Sequence, residues 1–193
     1  MFNITPLVRN IIIVNVAIFL LQNLASQYGL TELIALWDVR SPYFRPYQFF
    51  TYMFAHGGFG HIFFNMLAFA SFAPILEGYW GDKKFLLFYV ATGMGAGIIY
   101  AVINYFIMPG GGGIMLGASG AVYGILMAFG LLFPNLELML LFPPIPIKAK
   151  YMVFVMGFIT YALDTSGTVA HLAHFGGAFT AFLIIMYWKS HGK

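Results

Sequence analysis

The chain is 193 residues long, with 61% hydrophobic and only 8% charged residues and a mean hydropathy of +0.87, whereas a soluble domain of this size carries about 25% charged residues. This excludes an ordinary soluble fold and reads as an integral membrane protein. The 9 Lys+Arg against 6 Asp+Glu are scattered, which argues against nucleic acid as a partner, and the absence of cysteine excludes disulfides, a thiolate nucleophile and Cys-ligated metal.

Apolar runs measured against the ~20 residues that cross a ~30 Å hydrocarbon core predict six spans, at about 7–25, 58–77, 84–107, 119–133, 148–163 and 169–188. Within the first, the apolar run Ile11 to Leu21 follows Arg9 and precedes Leu24-Ala25-Ser26, in the manner of a secretory signal. The charge distribution favours an uncleaved anchor instead. With alternating connections, Arg9, Lys83, Lys84, Lys148, Lys150, Lys189 and Lys193 share one side and only Arg40 and Arg45 the other. The positive-inside rule then makes both termini cytoplasmic and turns the loops 26–57, 108–118 and 164–168 outward. The expected architecture is an all-α, polytopic six-helix bundle forming one domain over 1–193, without internal repeats or a separating linker.

Spans two, four and six enter from the same side, and each begins with polar residues. His61 and Asn65, four apart, share a face of span two, with His56 just before it. Their ordinary role in lipid is interhelical hydrogen bonding, and for an Asn alone that reading has about even weight. Span four is short: it begins at Ser119 and stops at Pro134, covering about 22 Å at 1.5 Å per residue. Ser119 is therefore expected below the outer surface, its amide among the unpaired N–H groups of a helix N-terminus, with the glycines 110–113 and Gly117 as irregular backbone lining a wet pocket. Gly120 and Gly124 also form a G-x-x-x-G pair, so a packing role competes with a reactive serine. Tyr123 lies one turn deeper on the face of Ser119. On span six, either His171 or His174 has the spacing of a general base for Ser119, and Gly177 permits the close helix approach this needs. No carboxylate is placed to orient the histidine, so a dyad is expected in place of a triad.

Three segments resemble the rhomboid family of intramembrane serine proteases. His56-Gly57-Gly58-Phe59-Gly60-His61-Ile62-Phe63-Phe64-Asn65 is similar to its H-x4-H-x3-N, Gly117-Ala118-Ser119-Gly120 to its G-x-S-G, and Ala173-His174-Phe175-Gly176-Gly177 to its A-H-x-x-G. The resemblance implies Ser119 as nucleophile and His174, not His171, as base. It further implies His61, Asn65 and the Ser119 amide as oxyanion donors, with Tyr123 packed on the catalytic histidine; His56, Gly117 and Gly177 belong to the supporting motifs. Glu77 matches an acidic position at the end of the family's second helix. Span five, after Pro143-Pro144-Ile145-Pro146, and the loop near Asp164 correspond to its gate and lid. One departure stands in the first outer loop, where Tyr47-Gln48 replace a frequent Trp-Arg and Arg45 is the nearby charge.

The implied activity is cleavage of transmembrane protein substrates from the outer side of a lipid bilayer, without cofactor or metal; the short length and the absence of a targeting segment favour a prokaryotic plasma membrane as host. Two rivals use the histidines differently. His56, His61, His171 and His174 would ligate zinc or haem, or relay protons in a small transporter. Against them, there is no H-E-x-x-H motif and no repeat of interrupted helices.

Overall fold

The structure, a computed structural model, describes residues 4–107, 113–139, 144–163 and 168–192. The described residues form α1 (Pro6–Leu24), α2 (Leu30–Ile34), α3 (Gln48–Thr51), α4 (Phe59–Trp80), α5 (Asp82–Ile107), α6 (Ser119–Leu132), α7 (Ala149–Leu163) and α8 (Thr168–Ser190). Two short 3-10 turns, Ser26–Tyr28 and Tyr52–Phe54, lie in the connection between α1 and α4. The helices α1, α4, α5 and α8 are long and apolar enough to cross a membrane; α6 and α7 are shorter apolar helices. All six fall on the predicted spans.

A short strand pair accompanies the helices of this all-α fold. In the connection after α6, β1 (Glu137–Met139) pairs antiparallel with β2 (Pro146–Lys148), Glu137 facing Lys148. Proline cannot donate to a ladder, and Pro146 stands at the first residue of its strand, where that loss is tolerated. Opposite charges across the pair add modest stabilisation.

Contacts identify two ends of the bundle. At one, Thr5 Oγ1 and the Val8 amide donate to the Glu77 carboxylate at 2.5 and 3.2 Å. There Lys84 lies 4.4 Å over the Trp188 ring, Trp80 meets Trp188 edge-on, and Lys189 reaches the Leu131 carbonyl at 3.5 Å. Glu77 thus serves orphan donors at the start of α1, as a carboxylate near a helix N-terminus should. At the other end Asn104 of α5 donates to Asp38 at 2.6 Å, and Gln22 of α1 bonds the backbone of His56. Hence α1, α5 and α7 run one way and α4, α6 and α8 the other, as the alternating connections require.

A helix that is apolar all round belongs inside a bundle. Residues 120–126 and 128–130 of α6 are buried, and the helix packs against α4, α5, α7 and α8. The neighbours come close because the contacts are small: a Cβ on Gly120 would lie 2.6 Å from that of Ala96, and one on Gly124 2.7 Å from that of Thr92. Large apolar side chains such as Ile13, Leu20, Phe64, Leu87 and Phe154 face outward, a surface suited to lipid.

With 14 residues, α6 is about 21 Å long, while the 26 residues of α5 reach about 39 Å. The start of α6 is therefore recessed. Of the glycine tract expected there, residues 110–112 lie outside the described residues. From Met115 onward the irregular backbone is satisfied: Met115 and Leu36 exchange both N–H···O bonds at 2.8 Å, and the Gly117 amide donates to the Tyr52 carbonyl at 2.9 Å. The connection between α1 and α4 thus folds back beside the recessed helix start, which keeps these polar groups paired.

Candidate active site

Ser119 is the first residue of α6, so its amide has no acceptor within its own helix. Just before it, Gly117 adopts φ +114°, open to glycine and strained for other residues. A Cβ at Gly117 would lie 2.6 Å from Nε2 of His61, so that imidazole occupies the space left by the missing side chain. The Gly57 amide donates to His61 Nδ1 at 3.4 Å, a long bond. In a neutral ring this leaves the proton on Nε2, the nitrogen aimed at the backbone entering Ser119. Asn65, buried one turn further along α4, donates its amide to the His61 carbonyl at 2.9 Å. One of its two amide protons stays uncommitted by that bond.

The facing side of the site is built by α8. Gly177 is so close to Gly120 that a Cβ there would overlap the Gly120 carbonyl, and a Cβ on Gly120 would lie 3.4 Å from the Ala173 carbonyl. These contacts set the turn carrying Ser119 against the turn carrying His174. The Tyr123 ring lies flat on the His174 ring, centroids 4.1 Å apart and planes 10° apart. The His171 ring lies 5.1 Å from that of Tyr161 on α7. A cavity of about 400 Å³ between α6, α7 and α8 is lined by Tyr123, Gly157, Tyr161, His171 and His174.

His56 supports this arrangement from the loop before α4. Its ring packs edge-on against His61 at 5.1 Å, and its Nδ1 lies 3.2 Å from the Phe54 carbonyl. Burial first, and then His61 beside it, pushes its pKa down to about 4, so this ring is neutral around pH 7. Gln22 of α1 holds the same residue, accepting from the His56 amide at 3.0 Å and donating to its carbonyl at 3.5 Å.

The first loop also contains a hub that sequence reading passed over. Gln48 is buried; its amide donates to the carbonyls of Leu33 and Tyr43, each at 3.2 Å, and accepts from the amides of Arg45 at 3.1 Å and Trp37 at 3.4 Å. Arg45 instead bonds the carbonyls of Pro42 and Phe44 at 2.9 and 2.7 Å within its own turn. A neutral amide, with donors and an acceptor in one group, organises the loop here. The departure from the Trp-Arg pattern at 47–48 was the available signal for this. Gln22 and Thr160 were also passed over, since one polar residue in an apolar run has no spacing to mark it. The expected lid at Asp164 lies outside the described residues.

Among the described residues no three His, Asp or Glu side chains converge as a metal site requires. The four candidate histidines divide into the pair His56 and His61 on the α4 side and the pair His171 and His174 on α8, while His191 lies beyond the end of α8.

The Rhomboid domain family model matches residues 43–190. The chain is 28% identical over 137 residues to Rhomboid protein 1, mitochondrial, of Saccharomyces cerevisiae, covering 69% of this chain and 39% of that protein. It is 36% identical over 91 residues to the rhomboid-named protein YdcA of Bacillus subtilis, covering 46% and 43%, respectively. To RHOMBOID-like protein 12, mitochondrial, of Arabidopsis thaliana it is 26% identical over 189 residues, covering 90% and 56%. It thus spans about half or less of the length of these relatives.

Proposed function

The chain belongs to the rhomboid family, and on that premise we propose that it is an intramembrane serine endopeptidase acting on transmembrane segments of protein substrates through a Ser119–His174 dyad. The observation that carries this reading is the seating of α6 on α8 at Gly120 and Gly177, with Tyr123 stacked on His174 and His61 Nε2 aimed at the backbone before Ser119.

In this reading the six helices α1, α4, α5, α6, α7 and α8 are the spans. Ser119 Oγ attacks the scissile carbonyl carbon while His174 takes the hydroxyl proton. The carbonyl oxygen becomes an oxyanion held by the Ser119 amide, His61 and the free amide proton of Asn65. The C–N bond then breaks as His174 returns its proton to the leaving amine. Water, deprotonated by the same histidine, cleaves the ester and regenerates Ser119. The chemistry uses only protein groups and water.

A substrate helix holds its peptide groups in i to i−4 bonds and must unwind before attack, so small or helix-breaking residues are expected at the cut site. Tyr123 fixes the plane of the base. Gly117 admits His61, and His56 buttresses it. The charge asymmetry supports cytoplasmic termini and a site opening outward. The expected host is a prokaryotic plasma membrane; two relatives named above are mitochondrial by name and one is bacterial, and fractionation of source cells decides between cell membrane and organelle.

The test is cleavage of a transmembrane substrate by purified protein in proteoliposomes, alongside labelling by a serine-reactive fluorophosphonate. Ser119→Ala and His174→Ala are expected to insert and fold but to lose turnover, with His171→Ala milder. Retained turnover in Ser119→Ala sinks the serine mechanism. Comparing membrane proteomes with active and Ser119→Ala protein identifies substrates.

A further inference from the structure

α7 carries one hydroxyl whose placement goes beyond packing. Thr160 Oγ1 and Tyr123 Oη are 2.8 Å apart. Thr160 has a single hydroxyl proton, and within its own helix that hydroxyl bonds the carbonyls of Met156 at 2.9 Å and Gly157 at 3.0 Å. With the threonine proton committed there, Tyr123 donates and Thr160 accepts. The same Tyr123 ring lies flat on His174, planes 10° apart. An unbroken chain of direct contacts therefore runs from α7 through Thr160 and Tyr123 to the proposed general base.

The surroundings make this tether matter. Tyr123 and His174 both line the cavity between α6, α7 and α8, so the stacked pair is not enclosed on every side. At the turn of α7 before Thr160 stands Gly157, where an added Cβ would meet nothing within 4 Å. α7 therefore offers no side chain at that turn, and its apolar packing in the cluster of Tyr123 comes from Met152, Val153 and Met156 earlier in the helix. The hydroxyl bond is a directional restraint there, whereas apolar contact would let the ring slide or tilt.

We propose that Thr160 is a positioning residue: by holding the Tyr123 hydroxyl it sets the plane of His174, and so couples the seating of α7 to the readiness of the base. This rests on the reading of Ser119 and His174 as the dyad. Any displacement of α7 that breaks the bond releases Tyr123, so α7 must be seated for proton transfer to be efficient. Misplacing a catalytic group by about 1 Å can cost up to 10² in rate.

The experiment measures fluorophosphonate labelling of Ser119, and kcat and KM on a transmembrane substrate, for wild type, Thr160→Val, Thr160→Ser, Tyr123→Phe and Thr160→Val/Tyr123→Phe. The small reagent reports on the base without requiring a substrate helix to pass α7. Thr160→Val preserves shape without the hydroxyl, and Tyr123→Phe preserves the stacked ring. Each is expected to slow labelling by about tenfold and lower kcat similarly with KM unmoved, a fraction of the full general-base contribution. Thr160→Ser should restore most of the rate, and the double variant should be no slower than either single one, as a shared bond requires. Thermal midpoints of the Val and Ser variants should agree closely. Unchanged labelling in Thr160→Val, losses that multiply in the double variant, or a loss shared by Thr160→Ser would each overturn the inference while leaving the dyad standing. A wild-type protein that neither labels nor cleaves overturns the dyad and this inference together.

Discussion

Asn65 donates its amide to the carbonyl of His61 in its own helix, so the bond it makes at rest ties no second helix to the bundle. Its removal should therefore cost little stability, less than the ~0.6 kcal/mol average of a membrane interhelical hydrogen bond. Turnover is a different matter. If the free amide proton meets the oxyanion, Asn65→Ala should lower kcat by up to about 10²–10³, or about 2.7–4 kcal/mol, and by less where His61 and the Ser119 amide share the load. Labelling of Ser119 by a fluorophosphonate should survive in part, since nucleophile and base remain. Unchanged turnover with a sharply lower thermal midpoint would make Asn65 structural. Its neighbour His61 depends on an absence of side chain, because Gly117 leaves the volume that the imidazole fills.

Between elements, the decisive contact is the seating of α8 on α6. The atom that a Cβ at Gly177 would strike is a backbone carbonyl, which cannot swing aside as a flexible side chain would, so the helices themselves must part. Gly177→Ala is expected to cost about 1–3 kcal/mol by overpacking and to abolish labelling of Ser119. Gly78→Ala, at an exposed position of α4 with nothing within 4 Å, should cost nothing and serves as the control in thermal unfolding. The first loop is pinned differently. The hydrogen bond from Arg40 holds the Asp38 carboxyl down at about 2, with Asn104 of α5 assisting. A depressed folded-state pKa means that stability from this pin is fully present above the ordinary value of 3.8 and is lost as pH falls through about 2. Hydrogen exchange in residues 30–51 should accelerate over that window, and Asp38→Asn should remove the pH dependence; an unchanged profile in Asp38→Asn would place the transition elsewhere. These contacts also show what was legible beforehand. The four long helices and the two shorter ones, α6 and α7, announce themselves as apolar runs, and Pro134 and Ser119 bound α6 locally. The bridge between Leu36 and Met115, the Gln48 hub and the β1–β2 pair rest on backbone partners distant in sequence or on short segments without periodicity. Thr160 is one hydroxyl in an apolar helix, and only the tertiary fold gives it Tyr123 to hold.

For the whole molecule, the distribution of charge bears on which end faces which compartment. The two ends differ in charge as well as in chemistry. Lys84 and Lys189 gather around Trp188 and Leu131 beside the start of α1, while the opposite end bears Asp38, Arg40 and the mouth of the proposed site. Cationic side chains flanking spans resist translocation, and Trp80 and Trp188 among them are the amphipathic rings that settle at a membrane interface. The lysine-bearing end should therefore remain cytoplasmic. A reporter fused to the C-terminus, just beyond the end of α8 at Ser190, is expected to read cytoplasm. One inserted at the exposed Gly113, where an added Cβ meets nothing within 4 Å, should read the opposite compartment. Reversing the bias, by neutralising Lys83, Lys84 and Lys189 and adding lysines beside Arg45, should produce a mixed population with both reporters split. The opposite assignment in the unaltered chain would overturn the charge argument. It would also move the recessed start of α6 to the cytoplasmic face, and water for ester hydrolysis would then have to come from inside the cell.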